Sequence, residues 1–176
     1  MSHEEENVEF LPLRLAVLTV SDTRDETTDK SGKLLVERLE GVGHTLAEKR
    51  IVTDNIYHIR AVVAGWCAWD EVDAVLVTGG TGLTGRDGTP EALRPLFDKE
   101  IEGFGEVFRA ISYDEIGTAT LQSRAVAGVC NGTYVFCLPG SSGACATGWD
   151  KLIGPQLDRR NQPCNMVEIL PRLTEK

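Results

Sequence analysis

Positive charge is what this chain has least of. Its 176 residues carry 18 Lys and Arg against 27 Asp and Glu, a formal net charge of −9. That balance argues against a nucleic-acid partner, because gripping a phosphate backbone depends on accumulated Lys and Arg. Metal and disulfide patterns are missing too. Cys67, Cys130, Cys137, Cys145 and Cys164 are odd in number and no two have C-x-x-C spacing, while His3, His44 and His58 lie far apart. No zinc or iron–sulfur site can be assembled from them, and reduced thiols in a cytosol are expected. No apolar stretch approaches the length of a membrane span. The opening Met1-Ser2-His3-Glu4-Glu5-Glu6 is acidic where a secretion signal is basic, so residues 1–12 read as a disordered acidic segment of a cytoplasmic protein. One common nucleotide motif is absent: there is no Gly-Lys-Ser/Thr of a Walker loop.

What the chain does have is glycine at one place. Val75-Leu76-Val77-Thr78 is a short apolar run that reads as a buried strand; Gly79, Gly80, Gly82, Gly85 and Gly88 follow within ten residues. The chain then restarts as a helix, with Thr89 expected at the N-cap, Pro90 at the first helical position and Glu91 in the first turn. Strand, flexible turn and helix start form the sequence of an anion site, in which Gly79, Gly80 and Gly82 allow positive φ and outward-pointing amides. Asp87 lies inside this loop. A carboxylate there repels phosphate unless a cation intervenes, which suggests Mg²⁺ held by oxygen ligands.

The rest of the chain supplies a frame for that loop. Arg14 to Ser21 is an unbroken apolar run, the mark of a strand buried on both faces of a parallel sheet, followed by a helix starting near Asp29 and stopping near Gly43. His44 to Val52 reads as a less buried second strand. Thr53-Asp54-Asn55 then caps a helix with Ile56, Ile59, Val63 and Trp66 on one face, and on position alone Asp54 is a capping residue worth about 1 kcal/mol. Gly103 and Gly105 suggest that the segment from Lys99 to Arg109 is kinked or broken, and Thr118 to Ala127 is a further helix candidate. Asn131-Gly132 between apolar runs signals a hairpin. Its second strand enters Pro139-Gly140-Ser141-Ser142-Gly143, a second glycine junction with two hydroxyls, and a helix ending near Pro155. Residues 159–176 read as an extended tail. The expected fold is a single α/β domain over 13–158, a three-layer α/β/α sandwich whose mostly parallel sheet has one antiparallel edge pair. Ligands bind such sheets beyond the carboxyl ends of the strands, where Ser21, Asp54 and the glycine loop all fall.

Taken together, these residues resemble a known family. Leu18-Thr19-Val20-Ser21-Asp22, Asp29-x-Ser31-Gly32, Thr78-Gly79-Gly80-Thr81-Gly82, Arg86-Asp87-x-Thr89-Pro90-Glu91, Gly103-Phe104-Gly105-Glu106, Ser123-Arg124 and Leu138-Pro139-Gly140-Ser141 occur in this order in the MoaB/MogA family of molybdenum cofactor biosynthesis proteins, over roughly Arg14 to Leu157. The resemblance implies molybdopterin binding and, in catalytic members, adenylylation of molybdopterin by MgATP with release of pyrophosphate. It implies that Asp54 and Asp87 are the functional aspartates, Asp87 also holding the metal. Ser21, Thr78, Gly79, Gly80, Thr81, Gly82, Gly140, Ser141 and Ser142 then contact pterin and phosphate. It further implies a trimer or hexamer, with Phe104 and Phe108 as candidate contacts, and dealings with other proteins of the same pathway. The alternative is a binding or scaffold protein that keeps the glycine loops and turns nothing over.

Overall fold

A computed structural model describes residues 8–176, and the acidic residues 1–7 lie outside the described residues. Strands β1 (Arg14–Val20), β2 (Thr45–Val52), β3 (Ala74–Thr78), β4 (Lys99–Glu100), β5 (Val126–Cys130) and β6 (Thr133–Leu138) form one sheet in the order β2-β1-β3-β6-β5-β4. The ladders β2–β1, β1–β3 and β3–β6 are parallel, and β5 runs against both its neighbours, β6 and β4. This is the mostly parallel sheet with an antiparallel edge that the sequence predicts. Asn131 and Gly132 turn the β5–β6 hairpin with φ of 49° and 78°, as a tight two-residue turn requires.

The apolar runs bury both faces of the sheet, and the alternation along β1 shows how. Leu15 and Val17 point into one core with Leu35 and Leu39 of α1 (Lys30–Gly41), Phe104 and Phe108 of α4 (Glu102–Ile116) and Cys145 of α5 (Ser142–Gly148). Ala16, Leu18 and Val20 point into the other, with Ile59, Val63 and Trp66 of α2 (Ile56–Cys67) and Ala92 and Leu93 of α3 (Thr89–Leu93). Helices on both faces are what parallel crossovers demand.

Several local expectations give way to packing. The segment holding Gly103 and Gly105 is one unbroken helix, α4. Two glycines cost about 2 kcal/mol of helix propensity, less than is gained by burying Phe104 and Phe108, each worth roughly 2 kcal/mol or more. Gly105 is a contact residue, since a Cβ there would stand 2.6 Å from the Ala125 carbonyl. Phe104 and Phe108 are therefore core, at 7 % and 1 % exposure, and are not subunit contacts. Residues 118–127 are not a helix: a 3₁₀ turn over Gly117–Gln122 leads through Ser123-Arg124-Ala125 into β5. The helix from Ser142 does end beside Pro155, at Gln156, carried there by a π turn over Trp149–Ile153 that Gly154 closes by donating to Trp149. The tail is not extended throughout. Asn165 caps a helical turn, Met166–Ile169, that buries Val167 in the core, and the Tyr134 hydroxyl donates to the Met166 carbonyl at 2.8 Å.

Candidate functional site

The carboxyl ends of β1, β3 and β6 open into a cleft of about 410 Å³. It is lined by Ser21 after β1, by Thr78, Gly79, Gly80, Thr81, Gly82 and Asp87 after β3, and by Gly140, Ser141 and Ser142 after β6. So the two glycine junctions, separated by about 60 residues of sequence, face one space, as the strand-end rule requires. They are stitched together at their base: Gly79 N–H donates to the Leu138 carbonyl at 3.0 Å, and Thr78 Oγ1 donates to the Pro139 carbonyl at 3.0 Å. Gly79 and Gly80 take φ of 101° and 67°, and a Cβ on Gly79 would stand 2.2 Å from the Val20 carbonyl. Only glycine fits a backbone that turns left-handed against another strand.

The expected amide cradle is narrower than the motif suggests. Gly79 N–H is bonded to Leu138, and the Asp87 carboxylate crowds Gly82, its Oδ2 2.7 Å from where a Cβ would stand. What remains of the loop for an anion is the amide pair of Gly80 and Thr81. Thr89 is not the N-cap of α3. That position falls to Gly88, which makes no side-chain cap, while the buried Thr89 hydroxyl donates to the Gly79 carbonyl at 2.8 Å and closes the loop on itself.

The aspartates differ in place and in the direction in which their surroundings push them. Asp87 lines the cleft, and its Oδ2 accepts from the Thr84 hydroxyl at 2.7 Å and the Thr84 amide at 2.9 Å. The Thr84 hydroxyl foremost, with the Thr84 and Gly82 amides and the Arg124 charge, outweighs partial burial and holds Asp87 below the ordinary carboxylate range. Asp54 stands outside the cleft lining, against Gly80, with its Oδ1 accepting from Gly88 N–H at 3.2 Å. It does not cap α2; Asn55 does, accepting from the amides of Tyr57 and His58. Burial pushes the Asp54 carboxyl up, the negative charges of Asp87 and Asp22 add to that, and the Gly88 amide and Arg86 oppose it. Neighbouring carboxylates driven in opposite directions mark functional sites more often than structural ones.

Other charged residues complete the site, and sequence reasoning alone assigns them no place in it. Arg24 and Lys30 line the cleft and supply its local positive charge in an acidic protein. Arg24 is presented by a turn in which Ser21 Oγ accepts from the amides of Thr23 and Arg24, at 3.2 and 3.1 Å. Asp29 also lines the cleft; burial alone would raise its carboxyl, but Lys49, the Gly32 amide and Thr19 hold it low. Asp22 accepts from Arg86 at 2.7 and 3.0 Å and from the Asp54 amide at 3.0 Å, tying the glycine loop to the end of β1 and the turn after β2. The legible signal for Lys30 is its place as first residue of a helix whose start points at the strand ends. Arg24 and Asp22 carry no such signal.

Such a fold and cleft belong to a ligand-binding α/β domain whose glycine-walled, polar site sits at the carboxyl edge of a mainly parallel sheet. Residues 16–159 match a family described as a probable molybdopterin binding domain, and the chain belongs to that family. Molybdenum cofactor biosynthesis protein B of Escherichia coli (strain K12) is 57 % identical over 159 residues, 90 % of this chain and 94 % of the relative. The protein of that name from Bacillus subtilis (strain 168) is 51 % identical over 146 residues, 82 % of this chain and 86 % of its own. A crystal structure of molybdenum cofactor biosynthesis protein B superposes with a TM-score of 0.85 at 43 % identity, covering 94 % of this chain and 98 % of that one. The tungsten cofactor synthesizing protein MoaB from Pyrococcus furiosus superposes at 0.77 and 37 %, covering 93 % and 98 %. Among the described residues, no helix is long and apolar enough to cross a membrane.

Proposed function

We propose that the chain, a cytoplasmic member of the molybdenum cofactor pathway, binds molybdopterin in this cleft and adenylylates it with MgATP. The observation that carries this reading is that Asp87, its carboxyl held low within the glycine loop, and the Gly140–Ser142 turn line one cleft. An oxygen of molybdopterin's terminal phosphate attacks the α-phosphorus of ATP; the new P–O bond forms as the α–β bridge breaks, and pyrophosphate departs with the electron pair. The nucleophile is already anionic, so the protein has alignment and charge to supply rather than a proton to remove. The amides of Gly80 and Thr81, with Ser21, Ser141 and Ser142, hold the pterin phosphate and ring, and Arg24 and Lys30 offset the negative charge brought in by both substrates.

The donors present suit Mg²⁺. They are hard oxygens, and although no group of three His, Cys, Asp or Glu stands close enough to hold a metal among the described residues, Mg²⁺ takes one or two carboxylates and completes its shell with water and phosphate. Asp87 would hold the ion and Asp54 would support it, and the ion would neutralise charge on the triphosphate. A second reading, a molybdopterin-binding protein without turnover, is favoured by the position of Asp54 outside the cleft lining. Pyrophosphate release separates them: with molybdopterin and MgATP the unmutated protein should release one pyrophosphate per adenylylated product. Equal molybdopterin binding with and without MgATP, and no pyrophosphate, would leave the binding reading.

The protein should assemble as a trimer, or a hexamer of paired trimers. In support, Val107, Ile116 and Leu121 are 46 %, 54 % and 79 % exposed on and just beyond α4. Light scattering that reports a monomer at all concentrations would refute this.

A further inference from the structure

One guanidinium reaches across the back of the glycine loop. Arg124 comes from the strap Ser123-Arg124-Ala125 that leads into β5, and Arg109 of α4 fixes that strap by donating to the carbonyls of Ser123 and Ala125, both at 3.3 Å. From there Arg124 Nε donates to the carbonyls of Thr81 and Gly82 at 3.1 and 2.9 Å, and Nη2 donates to the Asp87 carbonyl at 3.1 Å. Both Nη atoms engage the Glu91 carboxylate on α3. The fork thus clamps both ends of the loop to the helix that follows it.

In a trans peptide the carbonyl of one residue and the N–H of the next point in opposite directions. Where Arg124 draws the Thr81 carbonyl to itself, the Gly82 N–H is turned away from it, and the Asp87 carboxylate stands directly against Gly82. Where it draws the Asp87 carbonyl, the Gly88 N–H is turned away, and it donates to Asp54 Oδ1. We propose that Arg124 is a positioning residue for both aspartates at once: by gripping the carbonyls of Thr81 and Asp87 it aims the Gly82 amide at Asp87 and the Gly88 amide at Asp54. Planar donors in a fixed fork suit this task, and a lysine ammonium does not replace them. That the two carboxylates act in nucleotidyl transfer rests on the adenylylation reading; their orientation by Arg124 does not.

The test is amide hydrogen exchange by NMR on the ligand-free protein, so it needs no turnover. In Arg124→Met the amides of Gly82 and Gly88 should exchange at least about tenfold faster, while the Ala144 amide, held by Ser141 Oγ across the same cleft, should keep its rate. Arg124→Lys should resemble Arg124→Met, and guanidinium at tens of millimolar added to Arg124→Ala should restore protection at Gly82 and Gly88 alone. Glu91→Gln, which loosens the seat and keeps the fork, should give a smaller change at the same two amides and carries the test if Arg124→Met does not fold. Protection lost uniformly, Ala144 included, would make Arg124 a general structural residue and overturn the proposal, as would unchanged rates at Gly82 and Gly88. If those two amides respond as expected in a protein that releases no pyrophosphate, the positioning role stands and the adenylylation reading falls.

Discussion

The two glycine junctions of the cleft look alike in sequence and are held in different ways. After β6 the chain needs only Pro139, Gly140 and Ser141 to reach α5, and Ser141 caps that helix itself by accepting from Ala144 N–H at 3.1 Å. After β3 the chain takes ten residues, 79–88, to reach α3, which has no side-chain cap. That longer loop is fastened from outside, by Arg124, by the Asp22–Arg86 pair and by the Thr89 hydroxyl. Loops that carry function on a rigid scaffold are commonly held in this second way. The short junction is a wall, and the long one presents Asp87 and, through the Gly88 amide, holds Asp54.

Giving each junction a Cβ should separate them most widely. Gly79→Ala combines positive φ with a 2.2 Å approach to the Val20 carbonyl and should cost about 3 kcal/mol or more, whereas Gly140→Ala meets only the Gly79 Cα at 3.2 Å and should cost about 1 kcal/mol or less. Urea denaturation measures both; equal losses would mean the long loop is no more constrained than the short one. Removing one hydroxyl from each junction is milder. Thr89→Val takes a fully buried donor from the Gly79 carbonyl and should cost about 2 kcal/mol, against about 1 kcal/mol for the exposed cap in Ser141→Ala.

The smallest effect is the most diagnostic, because it differs in sign within one site. Asp54 has its carboxyl raised in the folded state, so ionising it opposes folding, and its contribution to stability falls as pH rises from the ordinary carboxylate range through the raised value. Asp54→Asn should therefore stabilise the protein slightly at pH 7, with the gain vanishing as pH falls through the ordinary carboxylate range. Asp87 is held low, so its stabilisation is present above the ordinary range and lost as pH falls through the depressed value. Asp87→Asn should be less stable than the parent at pH 7, and the gap should close on acidification. Thermal melts across pH 2–8 would check both signs.

Much of this was legible because it rests on local chemistry. β1 and β3 announce themselves as apolar runs, Asn131-Gly132 as a hairpin, and Gly79-Gly80 as a turn only glycine can make. Misreadings came where a distant contact decides. Gly105 reads as a helix breaker until the Ala125 carbonyl is seen beside it, and Asp54 reads as a cap until Asn55 is found in that role. Arg124, which the sequence places inside a helix candidate, shows its role only when the carbonyls of Thr81, Gly82 and Asp87 are placed around it. Composition and spacing carry no trace of which carbonyls converge on a guanidinium about 40 residues away.

On the proposed function, Asp87 supplies a charge used in the reaction and not in holding the pterin. Asp87→Asn keeps the shape and removes the charge, and it should be measured for both molybdopterin binding and pyrophosphate release with MgATP. Binding should stay within a factor of about two to three, while release falls at least about a hundredfold, since losing metal-borne stabilisation of the reaction is worth several kcal/mol. Full Mg²⁺-dependent release by the Asn variant would contradict the role given to Asp87.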